Sequence, residues 1–176
     1  KLAELRDNLT NLGTMPFITG GTLLGWYREC AIIPHTSDAD FGILRQEYRN
    51  SRTEMLDCFV NYQKIGNFIQ DYDSLEFTLV ANGGGSIDIF IFYDQNDTHV
   101  YTAGLDKESH NRYKWIQPKA NGYCSGILYD HLFFVPCNVL EILIVEYGKN
   151  WEIDQPTSEF KWWESSPNAA PNGKLT

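Results

Sequence analysis

Three carboxylates sit within apolar, strand-forming runs, and their placement narrows the fold more than any other feature. The run Ser86-Ile87-Asp88-Ile89-Phe90-Ile91-Phe92 is the clearest β-strand of the chain, and it carries Asp88 between two isoleucines. A second run, Asp38 to Leu44, alternates polar and apolar residues and opens on Asp38-Ala39-Asp40. Side chains at i and i+2 of a strand face the same side. Asp38 and Asp40 therefore project together, close enough to share one cation, while Ala39 points into packing. A hard cation such as Mg²⁺ or Mn²⁺ takes such oxygen ligands together with water and substrate phosphate. Asp88 on a neighbouring strand either completes the ligand set or accepts the proton of an attacking hydroxyl.

Upstream lies a third element of the pattern. Residues 15–19 read as a short buried strand, Gly20-Gly21-Thr22 as a tight turn, and residues 23–29 as a helix. Glycines let the backbone approach a phosphate, and a following helix N-terminus directs N–H groups and positive dipole at it. Arg28, on that helix, is placed to reach a diphosphate, although a surface ion pair explains it equally well. His35 is more simply a loop histidine than a ligand. Each signal alone is commonplace: paired glycines are frequent, and an Asp-x-Asp is most often a solvated strand edge. The ordered set of three favours catalysis over coincidence.

The rest of the chain alternates between helix and strand. Residues 2–12 carry leucines at helical spacing, and residues 46–62 read as a further helix. Residues 64–70, 75–81 and 86–93 are β-rich, and Asn82-Gly83-Gly84-Gly85 is a hairpin signal between the last two. Residues 97–117 read as a strand pair with a polar turn, and 133–136 as a short extended piece. Asn138 is placed to cap a helix over 139–147 that Gly148 stops. From Trp151 onward Pro, Ser, Asn and Gly dominate. Residues 1–155 are therefore expected to form the catalytic domain and 156–176 a tail that wraps it. Trp151, Trp162 and Trp163 suit either an acceptor groove or pinning of that tail, with pinning the simpler account.

The chain has 176 residues and a net charge of −9, with no basic run, which excludes a nucleic-acid binder. An acidic protein that handles phosphate needs a local device, such as a cation or a helix N-terminus. There is no apolar run long enough to span a membrane. The chain opens on Lys1, so it is expected to be cut from something longer, and an upstream signal or anchor is compatible with that. Four cysteines, Cys30, Cys58, Cys124 and Cys137, lack CxxC spacing and allow three disulfide pairings. Asn8-Leu9-Thr10 and Asn96-Asp97-Thr98 are glycosylation sequons.

The stretches Gly20-Gly21-Thr22-Leu23-Leu24-Gly25-Trp26-Tyr27-Arg28 and Ile33-Pro34-His35-Thr36-Ser37-Asp38-Ala39-Asp40 resemble the LicD/fukutin family. Val135-Pro136 through Glu146-Tyr147-Gly148-Lys149-Asn150-Trp151 resembles that family's C-terminal block, and the two ends of the chain look closest to its fukutin branch. The resemblance implies an α/β (α+β) fold, a nucleotidyltransferase-like mixed β-sheet flanked by helices. It implies metal-dependent transfer of a phospho-alditol, ribitol 5-phosphate or similar, from a CDP-linked donor to a glycan hydroxyl. The Golgi lumen, a glycoprotein acceptor and complexes with other glycosyltransferases come with it. Asp38 and Asp40 fall on the family's acidic metal motif, and Asp88 on a later acidic strand. Thr36 and Ser37 stand where many members carry further acidic residues, which bears on the number of cations. No cysteine cluster predicts a structural zinc. Two other activities fit the same residues: a nucleotidyltransferase acting on a nucleoside triphosphate, and a catalytically silent glycan- or partner-binding domain.

Overall fold

A computed structural model describes residues 1–49, 51–59, 61–68, 72–81, 84–106 and 109–174, with residues 64–68, 81 and 174 described by their backbone alone. Helix α1 (Leu2–Asn11) leads into the two-residue strand β1 (Phe17–Ile18) and helix α2 (Gly20–Glu29). Strand β2 (Asp38–Leu44), helix α3 (Arg52–Asp57) and strands β3 (Tyr62–Phe68), β4 (Glu76–Ala81) and β5 (Ser86–Asp94) follow. Next come β6 (His99–Leu105), β7 (Asn111–Pro118), β8 (Tyr123–Leu128), β9 (His131–Pro136) and helix α4 (Val139–Tyr147). The chain closes with the short helix α5 (Trp162–Ser165) and strand β10 (Ala169–Lys174).

The strands form one mixed sheet in the order β10-β7-β6-β5-β2-β1-β9-β8, with β4 also paired to β5 and β3 to β4. β2 and β5 run parallel, whereas β4–β5, β6–β7 and β8–β9 are antiparallel. This is the helix-flanked mixed sheet expected from the sequence. β4 and β5 pair as anticipated, although Asn82 and Gly83 of the hairpin signal lie outside the described residues.

The alternation in β2 and β5 separates two environments. Ala39, Phe41 and Ile43, with Ile87, Ile89 and Ile91, are buried in the core beside Leu23 of α2 and Ile142 and Leu143 of α4. Each such Phe, Ile or Leu side chain contributes about 1.5–3 kcal/mol when fully buried. The alternate residues, Asp38, Asp40 and Gly42 with Asp88, Phe90 and Phe92, occupy the other face. There Gly42 makes room for aromatic packing, since a Cβ would lie 2.4 Å from the Phe17 ring and 2.8 Å from that of Phe92.

Several elements differ from their sequence reading. The helix expected over 46–62 is only Arg52–Asp57, and Tyr62 already belongs to β3. Its start is fixed by a capping box: Ser51 Oγ accepts from the Glu54 N–H while the Glu54 carboxylate accepts from the Ser51 N–H. α2 begins at Gly20, so the glycines form its first turn instead of preceding it. Asn138 makes no capping bond; its side chain ties the preceding loop through Lys119 and Asn121. Strand β8, unforeseen in the sequence, pairs with β9, and Cys124 and Cys137 are joined in a disulfide. In the tail, β10 pairs antiparallel with β7 as an edge strand, a position that tolerates Pro171.

Candidate active site

Parallel pairing of β2 with β5 places Asp40 opposite Asp88 in register. Asp38, two residues before Asp40, faces the same side. One carboxylate oxygen from each of the three lies within 4.8 Å of the others. The Asp40 carboxylate is pinned from α2: the Thr22 N–H donates to its Oδ2 at 3.2 Å, and the Asp40 N–H donates to Thr22 Oγ1 at 2.7 Å. Gly20 has a φ of +53°, and a Cβ there would stand 2.9 Å from Asp40 Oδ2. The first glycine is thus required by the carboxylate that lies against it.

Burial, followed by the like charges of Asp38 and Asp88, holds the Asp40 carboxyl well above the usual carboxylate range. An all-oxygen cluster of like charges in a partly buried setting fits a hard divalent cation, which neutralises the repulsion. Nearby, burial pushes the Glu146 carboxyl up to about 7, partly offset by the Tyr147 hydroxyl.

These groups open into one cavity of about 510 Å³. Gly20, Gly21, Asp38, Asp40, Asp88, Arg28 and His35 all line it. Thr22 does not; it is buried and serves Asp40. The Arg28 guanidinium pairs with Glu29 and, at 2.7 Å, with Asp154. His35 Nε2 is 3.1 Å from both Asp154 oxygens, and its Nδ1 is 2.8 Å from Thr157 Oγ1. Trp151 and Trp162 reach the cavity wall, and Trp163 packs edge-on against Trp162.

Sequence reasoning passed over Glu146 and Tyr147 as site residues, although both lie in the C-terminal block that carried the family resemblance. It also missed Thr102 and Trp115, which line the cavity from β6 and β7 and carry no recognisable motif.

The model of the family described as LicD/FKTN/FKRP, nucleotidyltransferase domain, matches residues 13–138. The chain belongs to the LicD family. The match takes in the glycine turn, all three carboxylates and the sheet from β1 to β9, and stops before α4 and the tail. An uncharacterized Caenorhabditis elegans protein is 35% identical over 99% of this chain and 47% of its own length. The ribitol-5-phosphate transferase FKTN of Macaca fascicularis is 35% identical, and that of Homo sapiens 34%, each over 94% of this chain and 35% of the relative. The chain spans less than half the length of these curated relatives.

Proposed function

We propose that this LicD-family domain transfers a phospho-alditol, ribitol 5-phosphate or similar, from a CDP-linked donor to a glycan hydroxyl. The convergence of Asp38, Asp40 and Asp88 on one face of β2 and β5, against the first turn of α2, carries the reading. The similarity to ribitol-5-phosphate transferases supports the donor class.

Asp38 and Asp40 are the residues that would hold Mg²⁺ or Mn²⁺, which when bound would neutralise charge on the donor diphosphate and the departing CMP. Gly20 and Gly21 line the cavity at the start of α2, where N–H groups lack carbonyl partners in their own helix and suit phosphate oxygens. Thr22 keeps Asp40 in place. Arg28 lines the same cavity and supplies a cation for a phosphate oxygen once it exchanges Asp154 for the ligand. Asp88 takes the proton of the acceptor hydroxyl. The Cys124–Cys137 disulfide supports an oxidising, secretory compartment such as the Golgi lumen. No described helix is long and apolar enough to cross a membrane.

Product analysis tests the reading. CDP-ribitol with Mn²⁺ and a glycan acceptor should yield CMP, and Asp38→Asn should remove most of that turnover without unfolding the domain. Release of pyrophosphate from CTP, or wild-type turnover by Asp38→Asn, would sink it.

A further inference from the structure

The cavity has a second wall that the phosphate chemistry leaves unused. Among the described residues, β5 and β6 pair only at Tyr93↔Tyr101 and Asp94↔Val100. Away from that junction, Phe90 of β5 and Thr102 and Gly104 of β6 all line the cavity. Thr102 is the register partner of Trp115 on β7, so hydroxyl and indole share one face. Gly104 lies on that face too, and a Cβ there would stand 2.9 Å from the Trp115 ring, so the missing side chain lets the indole lie against β6. Trp162 from α5 completes the wall, its ring centroid 4.4 Å from that of Trp115. Thr102 is only 7% exposed, and its Oγ1 has no hydrogen-bond partner among the described residues. A buried hydroxyl left without a bond is costly unless a ligand or water supplies one.

Sidedness indicates which ligand. The strand order β7-β6-β5-β2-β1 sets this wall on the Asp88 side of the carboxylates. The glycine turn follows β1 and touches Asp40 on the other side. Phosphoryl transfer keeps the attacking and leaving oxygens roughly in line. With the CMP leaving group at the glycine turn, the attacking hydroxyl approaches from the Asp88 side.

We infer that Thr102, Trp115 and Trp162 form the acceptor subsite, which holds a neutral sugar ring against the indoles with a hydrogen bond to Thr102 Oγ1. The inference rests on the phosphotransferase reading above. The sugar oxygen forms the new P–O bond and its proton passes to Asp88. The P–O bond to CMP breaks, with the electron pair leaving on CMP. Aromatic faces and the Thr102 hydroxyl, with the Glu76 carboxylate lining the cavity opposite Phe90 in register, suit a polyol ring whose hydroxyls both accept and donate.

Saturation-transfer NMR on the domain, with a panel of methyl pyranosides in metal-free buffer, tests the subsite without relying on turnover. At least one pyranoside should show contact, persisting when CMP and the diamagnetic Mg²⁺ are added. The isosteric Thr102→Val and the Trp115→Leu variants should each weaken it roughly five- to tenfold. Three results would overturn the subsite: no pyranoside contact in the wild type, displacement of the pyranoside by CMP, or undiminished contact in both variants. Pyranoside contact without any metal-dependent binding of CMP or CDP-ribitol would instead overturn the donor reading and leave the sugar site standing.

Discussion

Asp40 and Asp88 face each other as register partners on the adjacent parallel strands β2 and β5, and the N–H of Thr22 fixes the Asp40 carboxylate from the helix above. Without a cation this arrangement is self-repelling, and its consequences are measurable.

The folded protein holds the Asp40 proton more tightly than the unfolded chain does. That contribution to stability is complete below the unfolded pKa and is lost as pH rises through the elevated folded value. In EDTA the melting temperature should therefore fall toward alkaline pH. Added Mn²⁺ should raise it more at pH ~8 than at pH ~5, and a hundredfold excess over Kd corresponds to about 2.7 kcal/mol. Asp40→Asn should lift the metal-free melting temperature and cancel most of the Mn²⁺ increment; an increment that survives the substitution counts against a metal at this cluster.

Gly20→Ala should cost both stability and turnover. The new methyl group would meet Asp40 Oδ2 at 2.9 Å, on a backbone with φ of +53°. About 1–2 kcal/mol of destabilisation is expected in chemical denaturation. Displacement of the carboxylate should lower turnover further than the stability loss explains. A Gly20→Ala protein with unchanged Mn²⁺ affinity would separate the glycine from the metal cluster.

Glu146 gives a second pH signature. Its carboxyl is raised by burial to about 7, so the charged form is disfavoured in the folded state. The associated stability is present below the unfolded carboxylate pKa and drains away up to about pH 7. Glu146→Gln removes this dependence. Urea unfolding in EDTA should show the variant gaining on the wild type by roughly 1–3 kcal/mol between pH ~4 and ~8. A constant difference across that range would refute the assignment.

The two sequons should behave differently in a secretory host. Asn8 is half-buried and its Nδ2 donates to the Cys58 carbonyl at 3.2 Å. Asn96 sits in the exposed turn between β5 and β6, where its Oδ1 accepts from the Thr98 N–H at 2.9 Å and from Thr98 Oγ1 at 3.0 Å. Peptide mapping after endoglycosidase treatment should find glycan at Asn96 and an unmodified Asn8; the reverse occupancy would contradict this.

Strands β2 and β5, helix α4 and the pairing of Asp38 with Asp40 on one face were legible in the sequence. Each depends on a short-range period of burial that the chain carries locally. The helix expected over 46–62 failed because the Ser51–Glu54 box starts it late and Tyr62 is drawn into pairing with Ala81 of β4. β8 and β10 escaped notice because their partners, β9 and β7, supply the order that their own composition does not. The sequence by itself determined which carboxylates were available, which glycines preceded them and to which family the chain belongs. Only the tertiary structure decided that Asp88 stands beside Asp40, that Gly20 makes room for a carboxylate, and that Thr102 and Trp115 share the cavity. Those relationships join residues far apart in the chain, and no local periodicity encodes the strand order that brings them together.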